Sequence, residues 1–339
     1  MYEQWLSVRN ALVFSAETLP RFPQLLTRTV SSRPRSGARS GATSPTFYST
    51  LRTLGPFVRQ GFADYFHPYF LFSMRLQNRI ALVTGGSSGI GTGIARQLAA
   101  DGATVFVNYH GGPSDKADAV VKTITDAGNQ AFAIAADVSK EDEVQAMFAR
   151  IVQQCGTLHI LVNNSGQQQD APFVDMTLAQ WQRVIDVNLT GQFLCSREAA
   201  REFLRRGPQP EIARATGVIL HTSSVHEVIP WAGHVNYATS KGGIMQLMKS
   251  TAQELAPHKI RVNSIGPGAI KTPINTAAWD TPEAEKALLK LIPYDRVGVI
   301  EDIGGLAAWL CSDEADYITG QTIFMDGGMT LYPGFATGG

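Results

Sequence analysis

From residue 74 onward, short apolar runs alternate with longer amphipathic stretches, and this alternation constrains the fold more than any other feature of the chain. The short runs are apolar on both faces, which is typical of strands in a parallel sheet that helices cover on both sides. Seven such runs predict strands, over Arg79 to Thr84, Ala103 to Tyr109, Gln130 to Ala136, Leu158 to Asn163, Gly217 to Thr222, Ile260 to Ile265 and Gln321 to Met325.

The stretches between these runs carry the 3.6-residue period of helices, for example over Ala117 to Ala127 and Glu141 to Cys155. Ser139 precedes a group of acidic residues and is predicted to cap the second of these helices. Repeated strand–helix–strand units form right-handed crossovers. Residues 74–339 are therefore predicted to form one doubly wound α/β domain, with a seven-stranded parallel sheet and helices on both faces.

Residues 1–73 differ from the rest of the chain in composition. They contain eight Arg, no Lys and three acidic residues, a net charge of +5, and nine of the twenty residues from 31 to 50 are Ser or Thr. Such a stretch buries too little apolar surface to fold, so this extension is predicted to be disordered or weakly structured. Three interpretations stay open: translation that really starts at Met74, an organelle transit peptide, or an arm that binds a membrane surface or a partner.

The whole chain has 29 Lys and Arg against 29 Asp and Glu, and this balance gives no reason to expect a nucleic acid partner. No uncharged apolar run reaches the length of about 18 residues that spans a bilayer. Cys155, Cys195 and Cys311 are scattered, which argues against a disulfide scaffold or a metal site and favours a reducing compartment. We expect a cytoplasmic protein, or an organelle protein if the extension is a transit peptide.

The first predicted strand runs into a glycine-rich turn that opens a helix. Its glycines are spaced Gly-x-x-x-Gly-x-Gly, which allows a tight turn, a close approach of the backbone to a pyrophosphate and close packing of helix on strand. The N–H groups of the helix N-terminus then face the anion. The turn predicts a Rossmann-type site for NAD or NADP on Gly85, Ser87, Ser88, Gly89, Ile90 and Gly91.

The end of the second strand is expected to select between the two cofactors. Folds of this kind often place an acid there to bind the ribose 2′-OH. This chain has Asn108 and Tyr109 followed by His110, with no acid to repel a 2′-phosphate and no arginine to bind it. The preference therefore stays open. Asp137 and Val138, after the third strand, are predicted to bracket the adenine, the alternative for Asp137 being that it only caps the turn.

Tyr237 and Lys241 are spaced so that they share one face of a helix. A general acid or base works best near ambient pH, whereas a free tyrosine titrates near pH 10. An adjacent ammonium in a partly desolvated cleft is expected to lower the pKa of the phenol toward neutrality. Ser224 follows the fifth strand, at the edge of the sheet where ligands bind, and can hydrogen-bond a substrate oxygen. The three residues predict a hydride-transfer site.

These motifs, together with Asn163-Asn164-Ser165-Gly166 and Asp186-Val187-Asn188-Leu189, resemble those of the short-chain dehydrogenase/reductase family from about Leu76 onward. The resemblance implies that Tyr237 exchanges the proton and that Lys241 lowers its pKa and binds the nicotinamide ribose. It also implies that Ser224 orients the substrate and that Asn188 holds a proton-relaying water. The further cofactor contacts that it implies are Asn164, Gly166, Pro267, Gly268, Ile270 through its backbone, and Thr272.

Within that family, segments 223–231, 265–275 and 326–333 are similar to the bacterial glucose 1-dehydrogenases. In those enzymes a histidine two residues after the catalytic serine and an asparagine of a Thr-Pro-Ile-Asn segment line the sugar pocket. The resemblance implies these roles for His226 and Asn275. Gln168 stands where those relatives have glutamate, which removes a charge-assisted contact to a sugar hydroxyl. The expected substrate residues are Ser224, His226, Gln168 and Asn275.

Three functions follow from these residues. The first is a nicotinamide-dependent dehydrogenase that oxidises the C1 hydroxyl of an aldose such as glucose to a lactone. The second is a reductase of a 3-oxoacyl thioester or another small ketone, and the third is a dinucleotide-binding regulator without turnover. The resemblance also implies a homotetramer that packs two long helices, about Leu178 to Arg206 and Asn236 to Pro257, with the tail from Leu331 crossing onto a neighbour.

Overall fold

The computed structural model describes residues 74–331, so the predictions for residues 1–73 and for the tail beyond residue 331 lie outside the described residues. Seven parallel strands form one sheet in the order β3-β2-β1-β4-β5-β6-β7, which confirms the predicted architecture. The strands are β1 Ile80–Val83, β2 Thr104–Tyr109, β3 Ala131–Ala135, β4 Ile160–Asn163, β5 Gly217–Thr222, β6 Ile260–Pro267 and β7 Thr322–Met325.

Helices connect successive strands and cover both faces of the sheet. The order of the strands reverses between β1 and β4, and in sheets of this kind ligands bind beside such a reversal, at the carboxyl ends of the strands. The helices are α1 Gly89–Ala100, α2 Asp115–Asp126, α3 Glu141–Cys155, α4 Leu178–Ile185, α5 Gly191–Arg206, α6 Val235–Leu255, α7 Pro282–Leu289 and α8 Ile300–Cys311.

Consecutive residues of each central strand are buried on opposite faces of the sheet. Val83 belongs to an apolar cluster that includes Val107 and Ile303, whereas Leu82 belongs to a second cluster with Phe106 and Ile219. Because neighbouring side chains of a strand point to opposite faces, burial of both requires an apolar layer on each side. The two clusters explain why the strands read as continuous apolar runs.

Helices α1 and α8 cross with their backbones in contact. A Cβ built on Gly93 would lie 2.5 Å from the carbonyl oxygen of Ile300, and one built on Gly304 would lie 2.7 Å from that of Gly93. Both distances are shorter than real side-chain contacts, so the crossing requires glycine on each helix. Helix α1, which follows the glycine-rich turn, is thereby fixed against α8.

The long helix predicted from residue 178 to residue 206 is divided in the structure. Helix α4 is followed by a π-helical segment, Asp186–Thr190, before α5 begins at Gly191. The backbone N–H of Gly191 donates to the carbonyl of Asp186, a bond to the fifth residue back instead of the fourth. Such segments are rare and often occur at functional sites. Here the segment contains Asn188.

The predicted cap of α3 is wrong. The hydroxyl of Ser139 donates to the carboxylate of Asp137 at 2.7 Å, and Lys140 occupies the capping position without a side-chain bond. The carboxylate of Asp137 is the stronger acceptor, so Ser139 turns back toward the strand. All three cysteines are free, as predicted. Among the described helices, none combines the length and the apolar character needed to cross a bilayer.

Candidate active site

The turn after β1 is a tight backbone cradle. Gly85 and Gly89 have φ values of +60° and +52°, in the left-handed region that favours glycine. A Cβ built on Gly91 would lie 2.3 Å from the carbonyl oxygen of Gly85 and 2.5 Å from the amide nitrogen of Asn164. The predicted spacing is therefore required by the backbone of this turn.

Thr84 and Asn164 hold the turn against β4. The Thr84 hydroxyl oxygen accepts bonds from the backbone N–H groups of Asn164, at 2.9 Å, and Ser165, at 3.0 Å. In return the Asn164 side-chain amide donates to the carbonyls of Thr84, at 3.0 Å, and Gly85, at 3.2 Å. The predicted Asn164 thus lies in the site as a support for the glycine-rich turn, and Thr84 is a second support that the sequence motif contained without revealing its role.

Asn108 is buried behind the turn rather than beside the predicted ribose site. Its Oδ1 accepts the backbone N–H of Gly85 at 3.1 Å, and its amide donates to the carbonyls of Ile134, at 3.3 Å, and Ala136, at 3.1 Å. Only 1% of the residue is exposed. The polar atoms of this side chain thus already bond to the turn and β3, and its contact with a cofactor stays a prediction.

Asp137 and its neighbours form a small charged group beside the end of β2. The carboxylate accepts the backbone N–H of Ser139 at 2.9 Å and lies 3.2 Å from Nε2 of His110 and 3.9 Å from Arg183. Burial raises the pKa of Asp137, but the bonds from Ser139 and the two nearby cations outweigh it and leave the pKa below its usual range. The carboxylate therefore does cap its turn, the alternative left open above, and contact with adenine stays a prediction for Asp137 and Val138.

The predicted catalytic side chains meet at the carboxyl end of β5. Tyr237 and Lys241 both lie on α6, with the Lys241 ammonium 5.4 Å from the centre of the Tyr237 ring. The ammonium is buried and donates to the carbonyl of Thr222 at 2.9 Å. The Ser224 hydroxyl lies close enough to the Tyr237 phenol to lower its pKa, and it accepts the backbone N–H of His226 at 3.2 Å. The structure thus brings Ser224, Tyr237 and Lys241 together.

Asn188 joins this group through the π-helical segment. Its Oδ1 accepts the backbone N–H of Gln167 at 2.8 Å, while its amide donates to the Gln167 carbonyl at 3.0 Å and to the Ser240 hydroxyl at 3.1 Å. Ser240 in turn donates to the carbonyl of Tyr237 at 2.7 Å. Both amide hydrogens of Asn188 are used, so a water held there would need the main chain of this segment or the remaining lone pair of Oδ1.

Burial dominates the electrostatics of the catalytic pair. It raises the pKa of Tyr237 above its usual value, the bond with Ser224 lowers that pKa, and the charge of Asp170 raises it. The predicted lowering of the phenol pKa is therefore wrong for this structure, because desolvation of the phenolate exceeds the stabilisation that its neighbours provide. Burial also lowers the pKa of Lys241 to about 8, against the opposing charge of Glu227.

The predicted substrate residues differ in their burial and in the hydrogen bonds that they already make within the protein. Nδ1 of His226 is 3.1 Å from the carbonyl of Ile229, and burial together with the charge of His234 lowers the pKa of His226 despite that bond. Gln168 is half-buried in the loop after β4. Oδ1 of Asn275 is bound by the backbone N–H and the hydroxyl of Thr272, at 3.1 and 2.8 Å, so only its amide is available to a substrate.

The loop after β6 approaches the glycine-rich turn. A Cβ built on Gly89 would lie 3.5 Å from the side chain of Thr272, so this predicted cofactor residue stands directly against the turn. Ile270 forms an isolated parallel bridge with Gly298. In this bridge the backbone N–H of Lys271 donates to the carbonyl of Gly298, and the N–H of Gly298 donates to the carbonyl of Ala269. The N–H and C=O of Ile270 therefore face away from Gly298, which is compatible with the predicted backbone contact.

Two residues that sequence reasoning missed organise the site. Asn236, fully buried, accepts the backbone N–H of Tyr237 at 2.8 Å and donates to the carbonyl of Gln169 at 2.8 Å. Ser240 links Asn188 to the backbone of Tyr237, as described above. Asn236 directly precedes the Tyr237 to Lys241 motif and Ser240 lies within it, so their positions could have indicated a role in the site. Their residue types could not, because Asn and Ser are common in helices and loops.

Comparison with known proteins identifies the family. A family model described as Enoyl-(Acyl carrier protein) reductase matches residues 85–330. Two curated relatives cover three quarters or more of this chain and almost all of their own length. The chain belongs to the short-chain dehydrogenase/reductase family. It is an oxidoreductase of the kind that acts on CH–OH groups, in a family that binds NAD or NADP.

The relatives within this family differ in their substrates. One is 3beta-hydroxysteroid dehydrogenase 1 of Eggerthella lenta, 46% identical over 78% of this chain and 98% of the relative. Another is glucose 1-dehydrogenase 2 of Bacillus subtilis, 43% identical over 76% of this chain and 97% of the relative. A gluconate 5-dehydrogenase from Burkholderia cenocepacia, solved in complex with NADP and tartrate, is 32% identical with a TM-score of 0.70, over 77% of this chain and 98% of that chain.

Proposed function

We propose that this short-chain dehydrogenase oxidises the C1 hydroxyl of an aldose such as glucose to a lactone, with NAD or NADP. The observation that carries the proposal is the convergence of Ser224, Tyr237 and Lys241 at the carboxyl end of β5, with the imidazole of His226 centred 6.3 Å from the Tyr237 ring. A sugar needs several converging polar groups, because each unmatched buried hydroxyl costs about 1 to 3 kcal/mol.

The residues of the site fit a dinucleotide. The cradle at Gly91 excludes even a methyl group, the N-terminus of α1 offers its N–H groups, and Thr272 lies against the turn. The nicotinamide, when bound, accepts a hydride from the substrate carbon in oxidation and returns it in reduction. The residues that would hold the cofactor are Gly85, Ser87, Ser88, Gly89, Ile90, Gly91, Asn164, Gly166, Lys241, Pro267, Gly268, Ile270 and Thr272, with Tyr109, Asp137 and Val138 on the adenosine side.

In the oxidation, the C1–H bond breaks with its electron pair, the hydroxyl proton passes to the Tyr237 oxygen, and the second C–O bond of the lactone forms. Ser224 orients the hydroxyl. The oxidation needs Tyr237 in its ionised form to accept the proton. Burial opposes that ionisation in this structure, and the buried ammonium of Lys241, 5.4 Å from the ring centre, is the nearby positive charge that acts in the opposite sense.

One observation favours the reverse direction as a second candidate, the reduction of a 3-oxoacyl thioester or another small ketone. Because burial raises the pKa of Tyr237, the phenol of this structure is protonated at neutral pH and ready to donate. A relative from Staphylococcus aureus that is named as a 3-oxoacyl-acyl-carrier-protein reductase is 43% identical over 74% of this chain and 98% of its own length. The polar groups of His226, Gln168 and Asn275 argue against a substrate with a long acyl chain.

An initial-rate panel tests the proposal. The full chain is assayed with aldoses and NAD or NADP, and with 3-oxoacyl substrates, small ketones and 3-oxosteroids and NADPH or NADH. We expect the highest kcat/KM for an aldose, and Tyr237→Phe should bind the cofactor but turn over at least about a hundredfold more slowly. A higher kcat/KM for a thioester or ketone would favour the second candidate. Cofactor binding without any turnover would favour the regulator.

We also propose a homotetramer in the cytoplasm. Apolar side chains of the helical segment from residue 173 to residue 206 are exposed in the single chain, with Leu178 at 77% and Leu204 at 46%. Burial of such side chains between copies is favourable. The three free cysteines are compatible with a reducing compartment. Light scattering coupled to size-exclusion chromatography measures the number of subunits, and a monomer would contradict this part.

A further inference from the structure

We propose that Trp231 and His234 are positioning residues that hold the imidazole of His226 as a neutral hydrogen-bond acceptor for a substrate hydroxyl beside Tyr237. The inference rests on the proposed function in one respect, since it assigns that hydroxyl to the substrate. It adds a requirement that the catalytic residues do not impose: the substrate carries a donor group close to its reacting carbon.

The three rings form a continuous stack at the mouth of the site. The ring centres of His226 and Trp231 are 4.3 Å apart with the planes 15° from parallel, and those of Trp231 and His234 are 3.5 Å apart with the planes 5° from parallel. Both faces of the indole are therefore covered by imidazoles. Its ring meets that of Tyr237 at 82°, with the centres 6.1 Å apart. The indole, which is 39% exposed, is thus packed between the two imidazoles and supports both of them.

The outer end of the stack is attached to the loop after β4. Nδ1 of His234 is 2.9 Å from the carbonyl of Ala232, and Nε2 lies 3.2 Å from the carboxylate of Asp170. The backbone N–H of Ala171 donates to the carbonyl of Gly233 at 3.1 Å. His234 is therefore held from two sides, and Trp231 is trapped between it and His226.

The inner end of the stack fixes the tautomer of His226. Nδ1 of His226 faces the carbonyl of Ile229, which can only accept, so Nδ1 carries the proton. Burial and the charge of His234 lower the pKa of His226, so the ring stays neutral at physiological pH. Nε2 then presents a lone pair, and the ring centre lies 6.3 Å from that of Tyr237.

This lone pair sets a chemical condition on the substrate. A hydroxyl near the reacting carbon can donate to Nε2 of His226, whereas a thioester or simple ketone has no donor to offer. An acceptor that substrate binding buries without a partner loses its hydrogen bonds to water, so a substrate that lacks the hydroxyl is disfavoured. The condition selects polyhydroxyl compounds within the wide range of substrates that the relatives show.

A double-mutant cycle tests the positioning role. Trp231→Ala should lower kcat/KM for the preferred aldose about tenfold, mainly through a higher KM, while Trp231→Phe, which keeps an aromatic ring in the stack, should stay within about threefold. In a His226→Ala background, Trp231→Ala should change kcat/KM by less than about twofold, because neighbouring residues that act through one group are not additive. Additive losses, or equal losses for the two Trp231 variants, would overturn the inference.

Nitrogen NMR of histidine-labelled full-length protein gives a readout that needs no substrate. We expect His226 to show a protonated Nδ1 and an unprotonated Nε2 at neutral pH, a mixture of tautomers in Trp231→Ala and in His234→Ala, and the native signals in Trp231→Phe. The opposite tautomer in the unmodified protein, or native signals in both alanine variants, would contradict the proposal. If no aldose is oxidised, the proposed function fails and these spectra still decide the positioning role.

Discussion

The side-chain oxygen of Asn108 accepts the backbone N–H of Gly85 at 3.1 Å, and through this bond the end of β2 holds the first glycine of the phosphate-binding turn. The backbone carbonyl of the same asparagine accepts the N–H of Gly86 at 2.9 Å. One buried residue therefore fixes two consecutive glycines whose freedom would otherwise have to be lost when a ligand binds. We therefore expect the contribution of Asn108 to cofactor binding to be indirect.

Asn108→Ala should weaken cofactor binding about tenfold and lower the free energy of unfolding by about 2 to 4 kcal/mol, because it leaves the N–H of Gly85 and the carbonyls of Ile134 and Ala136 without partners. The dissociation constant of NADH or NADPH from fluorescence titration, with urea unfolding, measures both effects. Asn263→Ala is the matched control: Asn263 is equally buried, on β6, and bonds to Ile318 and Gln321. It should lose stability and keep cofactor affinity; a loss of affinity in both variants would contradict the assigned role.

Adjacent glycines on α8 should respond in opposite directions to the same substitution. Gly304→Ala places a methyl group 2.7 Å from the carbonyl of Gly93 and should destabilise the protein by about 1 to 3 kcal/mol. A Cβ on Gly305 meets nothing within 4 Å, so Gly305→Ala should stabilise it by about 0.5 to 1 kcal/mol through the helix propensity of alanine. Urea unfolding of both variants tests the crossing of α1 and α8, and similar effects at the two positions would show that the helices are farther apart.

Ser240→Ala should reduce kcat about tenfold without changing cofactor affinity. The substitution removes the hydroxyl that accepts from Asn188 at 3.1 Å and donates to the Tyr237 carbonyl at 2.7 Å, so α6 and the π-helical segment lose the hydrogen bonds that pass through Ser240. A tenfold loss corresponds to about 1.4 kcal/mol, a typical value for hydrogen bonds of this kind. Ser240→Cys, of similar size, serves as a control for packing. Unchanged kcat in Ser240→Ala would mean that Tyr237 is positioned by other contacts.

The stability of the protein should fall as the pH decreases from about 6.5 to about 4. Burial, and the charges of Arg206 and Arg79, lower the pKa of His159 to about 4 despite its bond to Gln209, and its Nδ1 accepts the N–H of Ile80. Because the unfolded chain binds the proton more readily in this window, stability is full above pH 6.5, declines through the window and levels off below pH 4. His221, buried beside Lys241 with a pKa of about 3, acts in the same sense.

Urea unfolding at several pH values measures this dependence. His159→Asn keeps an acceptor for Ile80 and removes the titrating ring, so the slope between pH 4.5 and 6 should decrease by up to about one proton, equivalent to no more than about 2 kcal/mol over the window. The slope that remains is assigned to His221 and the other titrating groups. An unchanged slope in His159→Asn would contradict the buried, neutral state of His159.

Local sequence patterns predicted the sheet because both faces of each strand are covered. Strand β5 has the predicted bounds, and β6 runs two residues farther than predicted, to Pro267, because β7 pairs along its end. The interruption of the helix between α4 and α5 was not predictable, since an apolar period of 3.6 residues continues across one wider turn. The capping of α3 failed for a similar reason: Ser139 had a stronger acceptor two residues away, in Asp137.

The catalytic residues were predictable as a set, whereas their energetics were not. Residue types and spacing placed Ser224, Tyr237 and Lys241 in one crevice, but the direction of the pKa change of Tyr237 depends on burial, which spacing does not reveal. In the same way, Asn108 has the right position for a ribose contact, and only its burial shows that its polar atoms are used within the protein. Histidine stacking around Trp231 depends on loop conformation and left no periodic signal.

The crossing of α1 on α8 has a consequence for biosynthesis. The nucleotide cradle is encoded at the beginning of the domain, yet α8, which packs on the helix that follows the cradle, comes within the last forty residues of the chain. A nascent polypeptide whose strands β1 to β5 have emerged from the ribosome still lacks α8. We therefore expect the coenzyme to be bound only after nearly the whole domain has been synthesised, and a chain truncated before α8 to lack the helix that packs on α1.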